Sequence, residues 1–258
     1  LPADRIAPIE TMRVAGDDGG LLNFSAYEIG ERALAWVVEE RTLRAALVHV
    51  CRASGVTTHA PRAIASIGWT MEHATVQFED GGSVTARLVV GADGLRSRVR
   101  EVAGIAAAAR PYGQTAVVAN FNCERAHHGR ARQWFCNDGG ILAWLPLPGR
   151  RISMVWSAPE PLARELLALD RAALALRVAD AGSGVQGAVE CITPAAGFPL
   201  SVLKLPTMVA HRMALVGDAA HGVHPLAGQG VTLGFGDVGT LAAVMRERCN
   251  LAVERCAD

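Results

Sequence analysis

With 258 residues, the chain can bury one large core or two smaller ones. Lys plus Arg and Asp plus Glu balance at 25 each, which argues against a nucleic-acid partner, and an apolar share of 50% suits a well-filled core or an apolar pocket. Six scattered cysteines (Cys51, Cys123, Cys136, Cys191, Cys249 and Cys256), with no CxxC and no metal-type spacing, read as free thiols of a reducing compartment. The opening "LPADRIAPIE" has no basic segment followed by an apolar run, so no signal peptide is visible. From there "APIETMRV", "AGDDGG" and "LLNFSAYEI" predict a strand, a turn and a strand. "ERTLRAALVHVCRASG" predicts a helix with Leu43, Leu47 and Val50 on one face and Gly55 as its stop. "ATVQFEDGGSVTARLVVGADG" predicts a hairpin turning near Asp80-Gly81-Gly82, then a buried strand of the parallel-sheet kind.

From about Gly113 to Met208 the character changes. "TAVVANFNC", "ARQWFCN", "GGILAWLPLPG" and "RISMVWSA" are strand-like, and "PLARELLALDRAALALRVADA" has leucines at helical spacing. This block predicts a second, mainly antiparallel domain with a helix. "RMALVGDAAH" then returns to a strand, and a final helix is expected over about Val231 to Arg248. The longest stretch without an acid, lysine or arginine, Ala219 to Gly236, is broken by five glycines and a proline, poor material for a membrane span.

Three motifs bear on chemistry. "GSGVQG", Gly182 to Gly187, spells GxGxxG, but a helix precedes it and a strand follows. A dinucleotide fingerprint needs the reverse order, so this one is a loop. "VVGADGLRSRVRE" places Asp93 and Gly94 at the end of a buried strand, where open α/β sheets hold ligands, although Asp93 capping the next turn is the plainer alternative. "MALVGDAAH" repeats the pattern with Asp218, and six glycines between Gly217 and Asp237 lead into the last helix. Glycines that dense mark close backbone approach, and a helix N-terminus with open N–H groups suits an anion. His221 and His224 sit three apart with no further ligands in sequence, so they read as packing residues and no metal site is expected.

"GADGLRSRVR" resembles the DG motif of FAD-dependent aromatic hydroxylases, with Asp93, Gly94, Ser97 and Arg100 at matching positions. "GDAAHGVHPLAGQGVTLGFGDVGTLAAVM" resembles their GD motif throughout, and other segments follow the order found in the ubiquinone-biosynthesis branch. The resemblance implies an α/β fold: an incomplete FAD-binding Rossmann-like domain of the glutathione-reductase type, with an inserted, mainly antiparallel β-sheet substrate domain. It divides the chain into 1–38 opening the substrate-domain sheet, 39–112 and 209–258 as the partial FAD-binding domain, and 113–208 as the substrate domain. It implies hydroxylation of a phenolic ring, prenylated in that branch's chemistry, by a flavin that NAD(P)H reduces and that adds O2 at C4a. Asp218 is then expected on the ribitol chain and Pro225, Gly228, Gln229 and Gly230 against the isoalloxazine. Val231 and Thr232 are expected at its N1/O2 edge, and Asp93, Gly94 and Arg100 complete the cofactor set. With the flavin carrying the chemistry, no side chain is expected to act as a conventional catalyst.

The partners implied are a small aromatic, prenylated substrate and peripheral association with a membrane or multi-enzyme assembly. The location implied is cytoplasmic, extending to the face of the inner membrane. Three departures stand out: the family's opening GxGxxG unit is not in this sequence, Thr232 stands where relatives place Asn, and Arg130 and Arg132 replace small and aromatic residues. Competing readings are a halogenase or epoxidase on the same fold, and an inactive accessory paralogue binding lipid or pathway proteins. Trp134, Phe135, Trp144 and Trp156 are expected either to line an apolar pocket or to fill the sheet core.

Overall fold

The computed structural model describes the backbone of residues 1–254 and the side chains of 1–226 and 228–248. The chain divides into two units, Leu1–Thr58 with Gly113–Leu200 and His59–Tyr112 with Ser201–Asp258. The segment 39–58, expected with the FAD-binding part, is thus grouped with the first unit.

The first stretch forms β1 (Ile6–Ile9), β2 (Thr11–Ala15), β3 (Leu21–Ser25), β4 (Ala35–Val38) and helix α1 (Glu40–Ala53). The single strand expected over "APIETMRV" is therefore two: β1 pairs with β4, whereas β2 pairs with β3 and, in parallel, with a strand far along the chain. The break falls at Glu10, whose N–H bonds to the carbonyl of Gly129. Next come β5 (Ile64–Trp69), β6 (Ala74–Phe78), β7 (Ser83–Ala86), β8 (Val89–Gly91) and α2 (Arg98–Val102). The β6–β7 turn follows from its sequence: Asp80 accepts a bond from the Gly82 N–H at 3.2 Å, and Gly81 has φ +89°.

Strand β9 (Ala108–Cys123) carries the chain back into the first unit, followed by β10 (Arg130–Phe135), β11 (Ile141–Leu147), β12 (Arg151–Pro159), α3 (Glu160–Ala168), α4 (Arg171–Ala181) and β13 (Val189–Cys191). The main sheet runs β13-β9-β12-β11-β10-β2-β3, antiparallel except for the β10–β2 pair. Alternation selects its core face: Leu142, Trp144 and Pro146 of β11 pair with Trp156, Met154 and Ile152 of β12, and all are buried. Leu166, Leu174 and Val178 of α3 and α4 close this core. Of the four aromatics, Trp144 and Trp156 are core residues at 1% exposure each, Trp134 packs edge-on against Trp144 with centroids 5.1 Å apart, and Phe135 is exposed. The leucine-rich stretch expected as one helix is two, because the Asp170 carboxylate caps a new start by accepting the Ala173 N–H at 2.8 Å. Gly182, first residue of the GxGxxG decoy, ends α4, where a Cβ would fall 2.1 Å from the Trp144 ring.

The second unit is completed by β14 (Ala196–Lys204, which carries the chain across), β15 (Val209–Ala210), β16 (Met213–Leu215) and α5 (Gln229–Glu254). It holds two small sheets, β5-β6-β7 and β15-β16-β8, around a core that includes Ile67, Ala74, Val99, Met213, Leu215 and Ala219. Cys51, Cys123, Cys136 and Cys191 are free thiols, and the side chains of Cys249 and Cys256 lie outside those described. Among the described residues, no helix is long and apolar enough to cross a membrane.

Candidate functional site

Strands β8 and β16 are parallel neighbours, with Val89, Val90 and Gly91 in register with Met213, Ala214 and Leu215. The Val216 N–H donates to the Gly91 carbonyl at 3.0 Å, so the ladder runs to the strand ends, and both strands then lead into a turn bearing an aspartate. Position 91 is tight for any side chain: a Cβ would lie 2.7 Å from the tip of the Leu215 side chain and 3.0 Å from Val99, so a larger residue would force them to shift.

The two aspartates have different surroundings. Asp93 turns onto its own loop: Oδ1 accepts the Ser97 hydroxyl at 2.5 Å, and Oδ2 accepts the N–H groups of Arg98 at 2.7 Å and Val99 at 3.1 Å. Burial would raise its pKa, but the Ser97 hydroxyl and the Val99 and Arg98 amides outweigh it and hold the carboxyl below its ordinary value. Ser97 in turn caps α2 by accepting the Arg100 N–H at 3.0 Å. Gly94, at φ +78°, makes the turn possible in a backbone region that side chains disfavour. Arg100 is buried, and its guanidinium donates to the carbonyls of Ala219 at 2.8 Å and Leu95 at 2.7 Å. Asp93 and Arg100, expected as cofactor contacts, therefore direct their side chains at the protein: Asp93 closes its own turn, and Arg100 ties that turn to the β16 turn.

Asp218 stands at that second turn between residues that face inward. Ala219 and Ala220 are buried, yet the Asp218 side chain is exposed, and among the described residues no donor is bonded to it. It is the acceptor the strand ends leave open. Beyond it, half-buried Pro225 opens a short 3-10 turn over Leu226–Gly228, the Gly228 N–H donates to the Pro225 carbonyl, and Gly228 takes φ +64°. Gln229 and Gly230 begin α5, with Val231 63% exposed and Thr232 exposed in its first turn. The N–H groups of such a turn have no intrahelical acceptors.

Sequence reasoning missed the residue that fixes this helix. Asp237, in the third turn of α5, accepts two bonds at Oδ2: the Gly217 N–H at 2.8 Å and the His221 Nε2 at 2.6 Å. Gly217 and Gly234 make the approach possible, since a Cβ on Gly234 would lie 3.2 Å from the Gly217 Cα. Asp237 ended the glycine-rich stretch in plain view, but its partners are local only once the chain has turned back. His224 packs elsewhere, edge-on to Tyr112 with ring centroids 5.0 Å apart, and burial pushes it below the usual histidine range.

Two parallel strands that end in aspartate-bearing turns, followed by a glycine-rich turn into a long helix, mark an α/β protein of the kind that holds ligands at strand ends. The chain belongs to the FAD binding domain family, whose profile matches residues 30–254. It is 40% identical to a ubiquinone hydroxylase, UbiL, of Rhodospirillum rubrum over 91% of this chain and 55% of that protein. It is 34% identical to the 3-demethoxyubiquinol 3-hydroxylase of Escherichia coli over 86% of this chain and 56% of that protein. The chain thus spans about half the length of the curated relatives it matches. PqsL of Pseudomonas aeruginosa, described as a probable FAD-dependent monooxygenase, matches with a TM-score of 0.78 at 27% identity, covering 96% of this chain and 70% of its own. HpxO of Klebsiella pneumoniae, solved with FAD and uric acid, shares the fold with a TM-score of 0.69 at 21% identity, covering 93% of this chain and 64% of its own.

The residues present fit a flavin. Asp218 offers an acceptor suited to ribityl hydroxyls, and the α5 entry offers N–H donors on a backbone that glycine leaves uncovered.

Proposed function

We propose that this chain supplies the ribityl and ring side of the flavin site in an FAD-dependent monooxygenase that hydroxylates a prenylated phenolic ring on the way to ubiquinone. The exposed, unbonded Asp218 carboxylate beside the buried Ala219 and Ala220 carries this reading. The substrate class is supported by the relatives' descriptions as ubiquinone and demethoxyubiquinol hydroxylases. Once bound, the flavin supplies the activation of O2 after reduction by NAD(P)H.

The chain's own residues then bind and orient. Asp218 accepts from the ribityl chain, and Pro225 with the Gly228–Gln229–Gly230 backbone forms a surface for the flat ring. The N–H groups at Gly230, Val231 and Thr232 favour negative charge at the ring edge facing them. Asp93 shapes the β8 turn, and Arg100 holds it to the β16 turn. An apolar, membrane-soluble substrate gives the protein a reason to work at a membrane face or within a multi-enzyme assembly, and this peripheral role is part of the proposal.

The test is flavin affinity. A charge-assisted hydrogen bond contributes about 1.5–3 kcal/mol, so Asp218→Ala should weaken FAD binding by roughly 10–100-fold, read by flavin fluorescence, with Asp218→Asn in between. Equal affinity in all three proteins would overturn the assignment. Oxygenation of a prenylated phenol, followed as product against peroxide released, tests the reaction separately.

A further inference from the structure

The two arginines that depart from the family pattern do not stand alone. Strand β10 lies parallel to β2, with Arg130 opposite Thr11 and Arg132 opposite Arg13. Because neighbours in register share a face, Arg13, Arg130 and Arg132 project from the same side of the sheet. The edge strand β3 adds Asn23 opposite Arg13 and Ser25 opposite Thr11 on that side.

Three guanidinium groups gathered this way repel one another. Burial, and then the charges of Arg130 and Arg13, push Arg132 below the usual arginine range, and its Nε is buried with no partner. Among the described residues none of the three has a carboxylate within ion-pair distance, although Glu10 packs against neighbouring Gly129. Arg130 Nε donates to the Thr11 hydroxyl at 3.2 Å, which orients its fork and leaves the two terminal nitrogens unbonded. Thr11, Arg13, Asn23, Ser25 and Arg130, together with Met12 and Phe24, line a surface recess of about 200 Å³.

We propose that this recess is a binding site for a phosphate-class oxyanion, seated between the Arg13 and Arg130 guanidinium groups and completed by the neighbouring hydroxyl and amide groups. A carboxylate would occupy one fork, whereas a phosphate presents enough oxygens for both forks and the Asn23 amide. This inference is independent of the flavin reading.

The phosphate can belong to a small molecule or to a lipid headgroup, and two arms of one experiment separate these. Calorimetry with inorganic phosphate, against chloride at matched ionic strength, reads the first. Flotation with phosphatidylglycerol vesicles, against phosphatidylcholine, reads the second. Saturable binding in either arm, weakened at least tenfold by Arg13→Gln and by Arg130→Gln but not by Arg41→Gln, supports the site and names its source. All three substituted side chains, Arg13, Arg41 and Arg130, are exposed, and circular dichroism checks that each variant is folded. Binding in neither arm, or binding that Arg13→Gln and Arg130→Gln leave intact, overturns the proposal.

Discussion

Replacing Asp237 with alanine tests whether the clasp between α5 and the β16 turn holds the site in shape. One oxygen accepts both the Gly217 N–H at 2.8 Å and the His221 ring at 2.6 Å. Removing it leaves a half-buried amide without an acceptor, which costs about 1–3 kcal/mol for a fully buried group, and it removes a charged hydrogen bond of similar size. The Asp237 side chain is 23% exposed and that of His221 22%, so solvent recovers part of both losses. Alanine also gains about 0.5 kcal/mol of helix propensity. The balance is a local destabilisation of about 1.5–2 kcal/mol. Amide exchange over residues 213–222 should therefore accelerate roughly 10–30-fold, with a fall of about 6–9 °C in the melting temperature if the unit unfolds as a whole. Asp237→Asn keeps a carbonyl acceptor and should show about half the effect. Exchange in the alanine variant within twofold of the parent protein would refute the reasoning.

Three other outcomes follow from the geometry. Because hydrogen bonds hold Asp93 below its ordinary pKa, its contribution to stability is present above about pH 4 and is lost as pH falls through the lower folded value; Asp93→Asn should flatten that acid limb in pH-dependent urea unfolding. Gly182→Leu forces side-chain atoms into the space of the Trp144 ring, where even a Cβ would lie 2.1 Å away, and should destabilise the first unit by at least about 3 kcal/mol, read by tryptophan fluorescence. Exposed Cys51 should react with a thiol reagent at pH 8 well ahead of buried Cys123 and Cys191, since burial pushes the Cys123 thiol up to about 11 and keeps it unreactive until unfolding; Cys51→Ser should remove the fast phase assigned to it.

Where the sequence could be read and where it could not divides along locality. The β6–β7 turn, the end of α4 at Gly182 and the entry of α5 depend on residues a few positions apart, and glycine and aspartate mark them. The split between α3 and α4 was also local, but the leucine spacing runs across Asp170 and hides the cap. Non-local pairings left no such mark. Nothing near Arg13 announces that β2 will lie parallel to β10, and the one-residue break at Glu10 sends two halves of an apparent strand into different sheets. In the site, glycine spacing pointed to the turns around Asp93 and Asp218, and both strands do end there side by side in register. Their unequal roles depend on which carboxylate finds N–H groups, and that is decided by backbone direction after the turn.

The bond from Arg100 to the Ala219 carbonyl spans 119 residues of chain, with most of the first unit lying between its ends. On a ribosome adding about 5–20 residues per second, the first turn waits roughly 6–24 s for its counterpart to be made. Strand β8 must pass that interval without the neighbour that completes its ladder, its apolar valines open to chaperones and to misplaced strands. The intervening segment thus sets a minimum delay in synthesis before the Arg100 bond that ties the two turns can form.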